Sequence, residues 1–178
     1  MLVRRRSVWR EVLLTGYTVL LGSLLHFVYG WSGGSVLAAG FSAVNESTWE
    51  HMKLLFFPVF LLTLVQTCIR RSADTCIPAV RAISVFIGLG LIPMLYYTYT
   101  GIVGTHTLWA DIAVFILAAA GTFAADSALT RSGQLRRPWQ QIAGMLVLWA
   151  LAFCFVWCTF RPPHLALWLD PVTGWYGL

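Results

Sequence analysis

The sequence predicts an all-α, polytopic membrane protein: a bundle of five transmembrane helices with the N-terminus in and the C-terminus out. Three observations carry this. Only 11% of the 178 residues are charged and 58% are hydrophobic, with a mean hydropathy of +0.74, a membrane composition. Charge-free apolar runs recur at residues 12–29, 54–69, 82–108, 112–125 and 138–160. The basic residues gather at alternate ends of those runs.

A helix needs about 20 apolar residues to cross about 30 Å of hydrocarbon. The runs and their flanks place spans near residues 10–31, 46–70, 78–101, 108–129 and 139–160. No soluble domain remains between them, so residues 1–178 read as one membrane domain. The first span follows Arg4, Arg5 and Arg6 and has the look of a signal peptide. Its apolar run is too long for that and no clean small-x-small cleavage site follows, so it is expected to be retained. The fourth span has a short charge-free core and needs the flanks carrying Asp111 and Asp126. In the third, Gly88 and Gly90 permit close helix approach, and Pro93 frees a carbonyl. Pro58 does the same in the second. The glycine-rich yet apolar loop 30–44 is expected to dip into the interface.

Basic residues in short loops face the cytoplasm. Arg4, Arg5, Arg6 and Arg10 precede span one, Arg70, Arg71 and Arg81 flank the turn after span two, and Arg131, Arg136 and Arg137 lie between spans four and five. These are ten of the twelve basic residues, so the bias agrees at every loop and the net charge of +5 follows from topology. The charge favours contact with anionic membrane lipid and gives no case for nucleic acid. Glu11, Asp74 and Asp126 sit among those arginines as charge balance.

The remaining acids and all four histidines fall on the outer side. The densest cluster is Asn45-Glu46-Ser47-Thr48-Trp49-Glu50-His51-Met52-Lys53, immediately before the second apolar run. Part of it is a helix start. Asn45 or Ser47 serves as N-cap, and Glu50 three residues after Ser47 completes a capping box. Glu46, Glu50 and Lys53 recur at i, i+4 and i+7, on one face, with His51 about 100° round. Stacked carboxylates repel, and Lys53, a cation or a shared proton would relieve them. The plain reading is a solvated, capped helix end. The sharper one is a polar site closed over by neighbouring spans, since ionisable groups against a span are functional candidates.

Other outer groups can join it. His106 and Asp111 open span four behind the candidate cap Thr107, Asp111 being either a helix-dipole acid or a ligand. His26 lies one turn inside span one, as helix-to-helix hydrogen-bonder or ligand. Arg161 and His164 flank Pro162-Pro163, and Asp170-Pro171-Val172-Thr173-Gly174 reads as a turn that Asp170 caps. The expected site has Glu50 as acid/base or ligand, His51 and His106 as ligands or proton carriers, and Asp111 as orienting carboxylate. Glu46, Trp49, Lys53, Arg161 and His164 are expected to contribute binding. Glu50, His51 and His106 are the candidate ligands for a divalent metal such as zinc, although no H-E-x-x-H or C-x-x-C spacing supports them. Cys68, Cys76, Cys154 and Cys158 read as packing residues, not a disulfide framework.

The stretch Asn45-Glu46-Ser47-Thr48-Trp49-Glu50-His51-Met52-Lys53-Leu54-Leu55-Phe56-Phe57-Pro58, the tail Arg161-Pro162-Pro163-His164 through Asp170-Pro171-Val172-Thr173-Gly174-Trp175-Tyr176-Gly177, and His26-Phe27-Val28-Tyr29 carry a resemblance. Through them the chain resembles a family of small bacterial integral membrane proteins of unknown function. The resemblance covers nearly the whole length and implies the bacterial cytoplasmic membrane, with no catalytic residue to carry over.

Three functions remain open. One is an enzyme or binding protein acting on a lipid-linked or amphiphilic molecule, metal-assisted hydrolysis being the first reaction to consider. The second is a non-enzymatic interaction module or accessory subunit, binding a membrane-protein partner or a second copy through its outer loops and tail. The third, a transporter, is disfavoured by five unrepeated spans without inverted symmetry.

Overall fold

The computed structural model describes residues 2–69 and 76–178, with side chains in the first helix from Val8 onward. Arg70, Arg71 and Asp74, and the side chains of Arg4, Arg5 and Arg6, lie outside the described residues. Among the described residues six α-helices follow in order: α1 Leu2–Trp31, the one-turn α2 Val36–Ala39, α3 Thr48–Ile69, α4 Ile77–Val103, α5 Leu108–Ser132 and α6 Pro138–Phe160. Among the described residues there is no strand, only an isolated bridge between Leu169 and Tyr176 in the tail. The five long helices are each long and apolar enough to cross a membrane.

Water-driven burial is weak between helices that share a hydrocarbon environment, so close packing at small residues matters more. The glycines show it. A Cβ on Gly144 of α6 would stand 2.6 Å from Ala79 Cα and Pro78 O of α4. One on Gly88 of α4 would stand 1.9 Å from Thr122 Oγ1 of α5. One on Gly22 of α1 would stand 2.6 Å from the Leu54 carbonyl of α3. That carbonyl is the one Pro58, four residues on, cannot donate to. Gly90 differs from the expectation for span three: nothing lies within 4 Å of its Cβ position, so it is not a packing glycine.

The core is built on α3, whose Leu55, Phe56 and Val59 are fully buried and meet Val85 of α4, Phe123 of α5 and Phe155 of α6. Phe56 lies 5.0 Å from Phe155, ring centre to ring centre. An apolar groove of about 750 Å³ runs between α1 and α6, floored by Phe57, Pro58 and Leu61 of α3.

At the end where α4 begins and α5 finishes, Asp126 balances arginines as expected, and it does so from a buried position. It takes Arg10 Nη2 at 3.0 Å and has Arg81 Nε at 3.3 Å. Arg81 is fully buried, donates to Gln66 Oε1 at 3.2 Å and stacks over Phe123. One carboxylate thus links α1, α4 and α5. The four cysteines are free thiols.

Candidate functional site

The opposite end, where α1 finishes and α3 and α5 begin, gathers the other polar groups. The loop after α1 turns back through α2 and buries Ala39, Ser42 and Ala43, while Phe41 packs edge-on against Phe57. Asn45 Oδ1 accepts from Ser47 N at 3.0 Å, and Ser47 Oγ accepts from Glu50 N at 3.3 Å. Ser47 is therefore the N-cap, and α3 starts at Thr48. Asn45 instead ties down the tail, its Nδ2 donating to the Gly177 carbonyl at 2.9 Å.

This start divides the cluster. Glu46 precedes the helix, so helical spacing does not place it on the face of Glu50 and Lys53. Those two, one turn apart, point into the protein. Lys53 is fully buried and Glu50 is 2% exposed. Lys53 Nζ lies 2.5 Å from Glu50 Oε2 and donates to Ala39 O at 2.9 Å and Thr159 Oγ1 at 2.8 Å. All three ammonium donors are thereby used. Glu50 Oε2 also accepts from Val44 N at 3.1 Å, and Thr159 Oγ1 stands 3.2 Å from Oε1. The expected capping-box residue does not take the Ser47 N–H, which goes to Asn45 Oδ1, but reaches back to Val44 N, three residues before Ser47, and holds the loop instead. Glu50 and Lys53 join α2, the loop, α3 and α6, buried away from solvent.

Trp49 is likewise in the core, 4.6 Å from both Phe155 and Trp168. The tail folds back over this end. Asp170 caps its turn as expected, accepting from Val172 N at 2.9 Å and from Thr173 Oγ1 at 2.7 Å. His164 stacks on Tyr176 at 4.7 Å, and Arg161 is an exposed residue closing α6. Neither lines the cleft described next. Leu178 N donates to Thr159 O at 3.2 Å, and a Cβ on Gly177 (φ +66°) would strike that same carbonyl at 2.8 Å.

Between the starts of α3 and α5, α4 and the tail lies a cleft of about 100 Å³. Glu46, Thr48 and His51 form one wall, Ile92 and Tyr96 of α4 the back, His106, Asp111, Val114 and Phe115 the other wall, and Pro171 and Val172 the tail side. Of the four residues expected to act chemically, His51, His106 and Asp111 share this cleft; Glu50 does not. Glu46, expected only to bind, does.

Each wall carries a polar group of its own. Asp111 Oδ2 lies 3.2 Å from His106 Nδ1, and Asp111 Oδ1 accepts from the Tyr99 hydroxyl. Tyr99 also accepts from Thr107 N at 3.4 Å, and the Thr107 side chain, expected as the cap of α5, makes no capping hydrogen bond. On the facing wall, Glu46 Oε2 lies 3.5 Å from His51 Nε2 and Glu46 Oε1 lies 3.7 Å from His26 Nε2. Among the described residues, His26, Glu46 and His51 are the group whose ligand atoms all fall within 4.8 Å of one another. The expected ligand set of Glu50, His51 and His106 is not such a group. From sequence His26 stood open as a helix-to-helix hydrogen-bonder or a ligand, and nothing in the spacing tied Tyr99 to Asp111.

The fold and this end of the bundle define an all-α protein of five membrane-length apolar helices with a small polar cleft at one end. The chain belongs to DUF6512, a family of unknown function, whose model matches residues 4–178. No curated protein matches the chain, and no solved structure does.

Proposed function

We propose that this is a multi-pass protein of a bacterial cytoplasmic membrane, with the cleft on the outer face, that binds and hydrolyses a small amphiphilic or lipid-linked molecule. The observation that carries the reading is the convergence of Glu46, His51, His106 and Asp111 on one cleft whose remaining lining includes Ile92, Val114, Phe115 and Val172. Such a lining suits a molecule with a polar reacting end and an apolar remainder. Hydrolysis finds support in the Asp111–His106 pair. A carboxylate facing Nδ1 fixes the proton there, leaves Nε2 to accept one from an attacking water, and stabilises the imidazolium that results.

His106→Asn tests it. Hydrolysis of p-nitrophenyl butyrate and of bis(p-nitrophenyl) phosphate by the purified protein in detergent is measured for both forms. Loss of a positioned general base is expected to lower kcat about 10²–10⁴-fold, with KM little changed. An identical rate in the variant removes His106 from the chemistry. The non-enzymatic reading is supported by the exposed apolar side chains of Leu165, Val172 and Trp175 on the tail. It gains if the wild-type protein turns over neither compound while binding another membrane protein or a second copy through that surface.

A further inference from the structure

The geometry points to a divalent transition-metal site, of the zinc class, formed by His26 of α1, Glu46 of the loop and His51 of α3. This deepens the reading of the cleft as a hydrolytic site and rests on that reading only for what the metal would activate. Metal binding itself is measured without a substrate.

Proton positions favour a cation here. His51 Nδ1 lies 2.9 Å from the Ser47 carbonyl. A carbonyl oxygen only accepts, so Nδ1 is the protonated nitrogen. In a neutral ring Nε2 then carries a lone pair, and it faces the Glu46 carboxylate at 3.5 Å. Lone pair against carboxylate is repulsive, and a cation between them turns it into two bonds. The Ser47 carbonyl is also the kind of partner that orients metal-bound histidines by holding the far N–H.

Distances agree. Charge-assisted N–H···O bonds run about 2.7–2.9 Å. The two separations here, 3.5 Å to His51 and 3.7 Å to His26, are longer. Ligand atoms about 2.0–2.2 Å from a tetrahedral ion stand about 3.3–3.6 Å apart; the His51 separation falls in that range, the His26 one lies just above it, and with all three ligand atoms within 4.8 Å of one another a small inward shift closes the set around an ion. The two carboxylate oxygens divide between the two rings, and the rings lie 5.4 Å apart, centre to centre.

Access completes the pattern. Glu46 and His51 line the cleft, so the position not taken by protein opens into a space of about 100 Å³, enough for a few waters. Three protein ligands with an open fourth position is the pattern of catalytic zinc, and two histidines with one glutamate is a known set for it. A bound ion would supply Lewis acidity and a water that ionises near neutral pH, in the cleft that His106 and Asp111 also line.

The test uses the full-length protein purified in detergent, stripped with a chelator and titrated with Co(II), then Zn(II). Wild type should take up one Co(II) per chain with the intense visible bands of a tetrahedral site, displaced by one Zn(II). Glu46→Gln, at a half-exposed position ahead of the helix, should weaken Zn(II) binding about 100-fold or more, because even outer-shell changes cost 10–100-fold. His26→Gln should do likewise, and His106→Asn should bind Zn(II) as wild type does. No stoichiometric uptake by wild type, or unchanged affinity in Glu46→Gln with a monodisperse, folded variant, overturns the site. The two readings separate cleanly. Metal bound without hydrolysis refutes the enzyme and keeps the site; His106-dependent hydrolysis without metal refutes the site and keeps the enzyme.

Discussion

Lys53 carries the chain's single lysine ammonium to a position with no solvent exposure. An ammonium there is tolerable only with its donors filled, and Glu50, Ala39 O and Thr159 Oγ1 fill them. Removing one partner of a buried ion pair strands the other, at about 3–5 kcal/mol, whereas replacing both by apolar groups of similar volume is often neutral or stabilising. Glu50→Gln should therefore lower the melting temperature in detergent sharply, and the apolar pair Glu50→Met with Lys53→Met should lose less than Glu50→Gln alone. A Glu50→Gln protein that melts like wild type would show that the pair does not hold this end together. The sequence revealed that residues 45–53 are unusual, and its helix-start rules offered Asn45 or Ser47 as cap, of which Ser47 is the one used, while the capping box expected of Glu50 does not form. It did not show that Glu50 and Lys53 turn inward while Glu46 and His51 face the cleft. That division depends on where α3 begins, between Glu46 and Thr48, and helix boundaries are uncertain by a residue or two from sequence.

Helix by helix, the apolar runs were enough to find every long element, because a membrane-length run has little else to be. Spans expected at residues 78–101 and 139–160 are α4 Ile77–Val103 and α6 Pro138–Phe160. Which glycines are contacts was not legible, since that depends on which helices become neighbours. Gly144 and Gly90 separate the two roles. Gly144→Ala forces a methyl to 2.6 Å from the α4 backbone, where neither side can yield by rotating a side chain. Overpacking of this kind costs about 1–3 kcal/mol. Gly90→Ala meets nothing within 4 Å and removes a glycine from a helix interior, a change worth up to about 1 kcal/mol in the opposite direction. Thermal melting of the two variants should move to opposite sides of wild type. A fall for both would place an unseen neighbour against Gly90.

Across the whole molecule, the two ends of the bundle carry different chemistry. One end joins Arg10, Arg81, Gln66 and Asp126 into an ionic cluster centred on the buried Arg81 and Asp126. The other holds His26, Glu46, His51, His106 and Asp111 around or beside the cleft. No orientation is needed to see this asymmetry, but function depends on which compartment each end meets. In the proposed orientation, which the arginine bias favours, the ionic end is cytoplasmic, the histidine end lies outside, and the proposed substrate is one that reaches the outer leaflet. A cysteine-free background decides it. Trp175→Cys, at a tail position 77% exposed, should react with a membrane-impermeant maleimide on spheroplasts. Gln134→Cys, in the loop between α5 and α6, should react only after the membrane is opened. The reverse pattern would turn the protein over, move the cleft to the cytoplasmic face and end the case for an outer-leaflet substrate. It would leave the His26–Glu46–His51 geometry, and the expectation that it binds zinc, untouched.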